Sequence, residues 1–146
     1  MKSIVLTVVL FTIGINCNAQ TWQNNLPLAV KEAARENKKV LLFFSVPDYC
    51  DVCRKLEKDI FSSNAFQNYA LANYVLVKID FSNQSSESSA EQKEQNLLIV
   101  EKYNKDGFFP LVVILNKDSK IIGKMNPYKN ETQEQYVSQL QSVTKS

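Results

Sequence analysis

Two cysteines three residues apart, Cys50 and Cys53, enclose Asp51 and Val52. A thiol pair at that spacing can carry out two-electron chemistry unaided. A thiol at the start of a helix meets free backbone N–H groups and the positive end of the helix dipole, which favour thiolate over thiol. The thiolate attacks a disulfide sulfur and forms a mixed disulfide. The second thiol, one helical turn on, then attacks the first and releases the reduced product. Cys50 is the candidate nucleophile and Cys53 the candidate resolving thiol; run backwards, the same steps oxidise a substrate. The chain has no histidine, and this exchange needs none. A tetrahedral zinc site takes four ligands, so two cysteines without histidine do not fill one. No metal is expected, and no cofactor beyond the cysteine pair itself. An inert short-loop disulfide is the competing reading of the same residues.

The pair needs a strand before it and a helix after it. Val40 to Ser45 is a continuous apolar run, VLLFFS, as expected of a strand buried on both faces. Arg54 to Ile60 reads as helix, with Leu56 and Ile60 four apart. A second helical piece runs through Ala65, Phe66, Tyr69 and Ala70, capped by Ser62 or Ser63. Tyr74–Asp80 (YVLVKID) is the next strand, and a helix between two strands implies a parallel pair. Upstream, Leu26 to Asn37 shows helical spacing at Ala29, Val30, Ala33 and Ala34, with Pro27 near its start. Downstream, Ser82–Ser89 is a polar loop, Ala90–Tyr103 a helix, and Leu111–Leu115 a strand. Asn116–Ser119 is a hairpin turn into a strand at Lys120–Lys124. Thr132–Thr144 is an amphipathic terminal helix with Tyr136, Val137, Leu140 and Val143 on one side. Trp22, Phe61, Phe66 and Tyr69 read as core. The loop at Ser82–Ser89 follows a strand parallel to the first, so it emerges at the same edge as the cysteines. There it either shapes substrate choice or simply connects.

The chain has 146 residues, 45% hydrophobic, enough for one domain with its own core. Seventeen basic and fifteen acidic residues give a net charge of +2. So balanced a surface argues against a nucleic-acid partner. Lys2 followed by the apolar run Ile4–Ile15 has the form of a secretory signal, too short to span a bilayer. Cys17-Asn18-Ala19 offers small residues where a peptidase reads. The expected division is a signal peptide at 1–19 and one domain at 20–146. Cleavage removes Cys17 and leaves Cys50 and Cys53 as the only thiols, with no membrane span. Lipid attachment at Cys17 is the alternative, but Gly14 and Asn16 fit that motif badly. Either way the protein is exported, to the periplasm or beyond.

The run from Lys39 to Ser45, then Asp48-Tyr49-Cys50-Asp51-Val52-Cys53-Arg54-Lys55-Leu56-Glu57, resembles the thioredoxin-like proteins of bacterial envelopes. Tyr74–Asp80 resembles their next strand, and Tyr103 to Val113 their cis-proline segment. The resemblance covers the whole of residues 20–146, in order. It implies an α/β thioredoxin fold, with a central mixed sheet of four to five strands and helices on both faces. It also implies that Pro110 is a cis-proline facing the cysteines, with Tyr49, Phe109 and Pro110 at the substrate. The strand from Leu111 should run antiparallel to Val40–Ser45, which brings Pro110 beside Cys50. Proline suits a strand start, and the backbone of residue 109 can then pair with an incoming chain.

Three departures stand out. Tyr49 replaces a common tryptophan but still offers an aromatic wall. Asp51 places a negative charge near the Cys50 thiol, which disfavours the thiolate unless Arg54 offsets it; that argues against a strong oxidant and for a reductase. Where the resemblance implies a buried acid in the strand before the motif this chain has Phe44, leaving Glu57 or water to handle the proton of Cys53. Asp48, Glu57 and Lys78 otherwise read as solvated surface charge.

The expected function is a thiol–disulfide oxidoreductase, reductase or isomerase, acting as a monomer on exported protein thiols and disulfides and recharged by an upstream redox partner. The alternative is a non-catalytic binding module whose cysteine pair stays oxidised. A thiol peroxidase would need a dedicated peroxidatic site, and the sequence offers none.

Overall fold

The computed structural model describes residues 21–82 and 89–145. The signal-peptide expectation and most of the Ser82–Ser89 loop lie outside the described residues. Among the described residues five α-helices and four strands follow one another as α1 (Leu26–Arg35), β1 (Lys39–Ser45), α2 (Asp51–Lys55), continued by a π-helical stretch (Leu56–Phe61), α3 (Asn64–Asn73), β2 (Tyr74–Asp80), α4 (Ala90–Tyr103), β3 (Leu111–Leu115), β4 (Ile121–Lys124) and α5 (Gln133–Val143).

The strands form one mixed sheet in the order β2-β1-β3-β4. β1 pairs parallel with β2 and antiparallel with β3, and β3 pairs antiparallel with β4. Beyond β2, Gln23 makes an isolated parallel bridge to Val77, so the edge strand is capped by the chain that leads into α1. The mixed sheet and flanking helices are those of the expected fold, with four strands.

β1 is central and apolar throughout because each of its faces is covered. Leu41 and Phe43 share one core with Leu56, Ile60, Phe61, Phe66, Leu76, Ile114, Tyr136 and Leu140, beneath the helices from α2 to α3 and α5. Val40, Leu42 and Phe44 share the other with Leu26, Ala29, Val75, Val113 and Tyr103, beneath α1 and α4. Trp22 and Tyr69 pack on the first core and Phe61 and Phe66 lie within it, as their types suggested.

Local signals set most helix starts. Asn25 caps α1 by accepting the Leu28 N–H at 3.0 Å, and proline stands in its first turn. Ser63, rather than Ser62, caps α3 through the Phe66 N–H. Thr132 and Gln135 form a reciprocal capping box at α5.

The helix after the cysteines departs from the expected Arg54–Ile60. It starts three residues earlier, at Asp51, and from Leu56 to Phe61 it widens into a π-helical stretch. Leu56, Ile60 and Phe61 are all buried, at spacings of four and five. An α-turn serves the first spacing; the wider turn, with the Ser62 N–H bonded to the Glu57 carbonyl at 3.0 Å, serves the second. A sequence pattern read at 3.6 residues per turn misses such a widening.

Candidate active site

Cys50 is the N-cap of α2, just past the end of β1. Its sulfur accepts the Cys53 N–H at 3.1 Å, so a free helix N–H points at the candidate nucleophile. The two cysteines form a disulfide, with Cα atoms 5.2 Å apart. They differ in access: Cys50 is half-buried, whereas Cys53 is fully buried. An incoming disulfide can reach the first sulfur and not the second.

Cys50 lies in a cleft of about 920 Å³ with three walls. Val46 and Tyr49–Val52 form the first, Gly107–Leu111 the second and Lys124–Tyr128 the third. The antiparallel register sets Leu111 opposite Phe44, so the start of β3 lies beside the end of β1. That register brings the segment from Gly107 to Pro110 to the cysteines. The Phe109–Pro110 peptide bond is cis. Tyr49, Asp51, Val52, Phe109 and Pro110 thus line the same cleft as Cys50. Tyr49 is 79% exposed and Phe108 59%, so two large rings face solvent at the cleft. Phe109 turns the other way and meets Phe81, ring centroids 6.1 Å apart. Phe108, Lys124 and Tyr128 also line the cleft, and no local sequence pattern marks them for it. The exposed aromatics could have been suspected only once Phe108 was known to lie outside a strand.

The charge near Cys50 is balanced. Asp51 is paired with the Arg54 guanidinium, which also donates to the Pro47 carbonyl, and the Asp51 side chain is largely exposed. Arg54 and solvent both screen the Asp51 charge, so it does little to disfavour a Cys50 thiolate and by itself does not favour a reductase.

The expectations for Phe44, Glu57 and Lys78 need correction. Phe44 points away from α2, into the core beneath α1 and α4, so it does not occupy the place of an acid under the cysteines. On the α2 side, Ser45 is buried at the end of β1 and donates to Glu57 at 3.2 Å. Lys78 donates to Glu57 at 2.8 Å and pairs with Asp80 at 3.0 Å. Glu57 follows Cys53 by four residues, on the same helix face. These are members of a half-buried network, not isolated surface charges. Strand alternation carries the reason: Ser45 and Lys78 share the sheet face that Phe43 and Leu76 bury.

Burial alone would lower the Lys78 pKa, but hydrogen bonds from its ammonium to Glu57 and Asp80 outweigh burial and hold it above the ordinary lysine value. A raised lysine pKa adds stability that is complete below the unfolded value of 10.5 and is lost as pH rises through the folded value. Lys78→Met, which leaves two carboxylates facing each other, should therefore cost about 1–2 kcal/mol, discounted for the network's partial exposure. Urea titrations should give a constant deficit at neutral pH that shrinks above the lysine range. A deficit that persists unchanged in strong alkali would rule the ion pairs out as its source.

Among the described residues, no group of three or more histidine, cysteine, aspartate or glutamate side chains is placed to hold a metal. No helix among them is long and apolar enough to cross a membrane.

The thioredoxin-like family model matches residues 21–117, from the lead into α1 through β3. The chain belongs to the thioredoxin-like family. It is similar to the disulfide bond reductase DsbH of Chlamydia pneumoniae, 27% identical over 117 residues, which span 80% of this chain and 69% of that protein. Among solved structures it resembles a DsbH oxidoreductase, with a TM-score of 0.79 and 24% identity over 99% of this chain and 94% of the other. A disulphide isomerase from Xylella fastidiosa aligns with a TM-score of 0.60 and 20% identity, covering 79% of this chain and 87% of its own. A thioredoxin from Thermus thermophilus gives 0.62 and 16%, over 86% and 87%. This thioredoxin-like chain is thus a homologue of a thiol–disulfide oxidoreductase, and its CxxC pair is closed as a disulfide.

Proposed function

We propose that this protein is a disulfide reductase of exported polypeptides, with Cys50 as nucleophile and Cys53 as resolving thiol. The observation that carries the reading is the unequal access of the two sulfurs, of which only that of Cys50 opens on the cleft. Cys50 is reachable and accepts a helix N–H; Cys53 is buried behind it. In the reduced protein the Cys50 thiolate attacks one sulfur of a substrate disulfide. That bond breaks, one substrate thiolate leaves, and Cys50 is joined to the other substrate sulfur. Cys53, giving up its proton, attacks the Cys50 sulfur; the second substrate thiolate leaves and the Cys50–Cys53 disulfide closes. Two electrons pass to the substrate, and the two thiolates take up protons. A dithiol redox partner restores the pair by the same exchange.

Tyr49, Phe109 and Pro110 are assigned to the substrate, and Asp51 and Val52 to the turn between the thiols. The likeness to a disulfide bond reductase supports the direction of electron flow. Residues 1–19 are assigned as a signal peptide and 20–146 as the exported domain, working in the periplasm as a monomer. The apolar run Ile4–Ile15 supports that location.

The test is dithiothreitol-driven reduction of insulin by the exported domain. Turnover above the dithiothreitol background, lost in Cys50→Ser, is the expected result. No turnover above background would favour the non-catalytic module.

A further inference from the structure

Asn104 is almost completely buried at the end of α4, and no part of the exchange chemistry uses it. Its carboxamide meets the backbone of Phe108 twice. The Nδ2 group donates to the Phe108 carbonyl at 2.8 Å, and Oδ1 accepts the Phe108 N–H at 3.0 Å. The side chain addresses residue 108 as a neighbouring strand would, with one donor and one acceptor. Of the short side chains, only asparagine carries the two on separate atoms of one planar amide; aspartate offers acceptors alone. The backbone of Asn104 is tied as well. Its N–H bonds the Val100 carbonyl at 2.7 Å, and its carbonyl accepts the Gly107 N–H at 2.9 Å. Gly107, at φ +68°, reverses the chain in the left-handed region that glycine adopts without strain.

The loop from Asn104 to Phe108 is therefore closed from both ends on one buried amide. Its outcome is the display of Phe108: the ring is 59% exposed at the cleft, with the Lys124 ammonium 5.8 Å from its centroid. The next residue, Phe109, is anchored on Phe81. A large exposed ring on a pinned backbone suits recognition better than stability, since it contributes little to the core.

We propose that Asn104 is a positioning residue of the substrate site. By pinning the Phe108 backbone it holds the Phe108 ring and the edge at Phe109 ready for a polypeptide that carries a large apolar side chain beside its cysteine. This rests on the reading of the cleft as the substrate site. Without the pin, the loop orders only when substrate binds, and that cost appears in KM. A small disulfide that reaches Cys50 without touching Phe108 does not meet it.

The experiment compares insulin with oxidised glutathione as substrates of the exported domain. Asn104→Ala should raise KM for insulin about tenfold, the equivalent of one lost hydrogen bond. Its kcat, its rate with oxidised glutathione and the reduction potential of the pair should stay within about twofold. Asn104→Asp keeps the acceptor but sets a carboxylate oxygen against the Phe108 carbonyl in a buried site, and should raise KM at least as much. Phe108→Ala removes the ring and should raise the same KM without lowering Tm. An insulin KM unchanged in folded Asn104→Ala overturns the proposal, as does an equal fall with both substrates, which marks a merely structural role. If Asn104→Ala does not fold, Phe108→Ala, at an exposed ring, is judged by the same two criteria. Insulin turnover that survives Cys50→Ser would instead overturn the assignment of the site, a distinct result.

Discussion

Cys50→Ser should abolish insulin reduction, by roughly three orders of magnitude or more, while Cys53→Ser should arrest the protein on its substrate. The two outcomes differ because the two sulfurs occupy different places. Cys50 caps α2 and opens on the cleft; Cys53 is fully buried one turn into the helix. A serine hydroxyl at position 50 has no thiolate to offer, and the helix N–H aimed at that position has no anion to stabilise. With Cys53 replaced, Cys50 still attacks and a mixed disulfide still forms, but no internal thiol follows to break it. Non-reducing gels of Cys53→Ser incubated with an envelope extract should show bands that collapse on adding dithiothreitol. Cys50→Ser should show none of them. If Cys50→Ser forms the adducts and Cys53→Ser does not, the roles are reversed and the assignment fails.

The second large effect is on stability. Phe61→Ala should destabilise the fold by about 3–5 kcal/mol, the cost of emptying a large aromatic site. Phe61 closes the π-helical stretch and is the hub of an aromatic cluster. Its ring centroid lies 4.8 Å from Phe66, 5.0 Å from Phe43, 5.1 Å from Trp22 and 6.1 Å from Tyr136. It thereby joins α3, β1, the lead into α1 and α5, so no single neighbour can move in to fill the space. For a domain whose total stability is on the order of 5–15 kcal/mol, such a loss is a large fraction. Urea unfolding should show a lower midpoint with an unchanged slope. Leu97→Ala, at a site 62% exposed on α4, should change stability by no more than about 0.5 kcal/mol. A Phe61→Ala loss as small as that of Leu97→Ala would mean that the cluster repacks around the gap.

The contrast between Phe61 and Leu97 shows where sequence reading runs out. Helix α4 has the bounds that its composition predicts, Ala90 to Tyr103, but four apolar residues in a row, Leu97 to Val100, do not say which face is inward. The fold turns Leu97 and Leu98 to solvent. It buries Asn96 and Tyr103, whose hydroxyl donates to the Ser119 carbonyl at 3.0 Å and fixes the rotation of the helix. Likewise Ser45, Glu57 and Lys78 are unremarkable in sequence. They become one network only because β1 and β2 pair in register and place alternate residues on one sheet face.

Residue type and local spacing were enough to read the thiol pair, the buried strand before it, the order of elements and Pro110 at the head of β3. Turn chemistry and capping act within a few residues, so the turn at Asn116 and a cap at Ser62 or Ser63, of which Ser63 is the one used, could also be read in advance. Which cysteine is reachable, and that Phe44 faces away from the active-site helix, follow from long-range packing alone. Each of these depends on the phase of a helix or strand against a distant neighbour. That phase is set by the packing of two cores on one sheet, which acts between residues far apart in the chain.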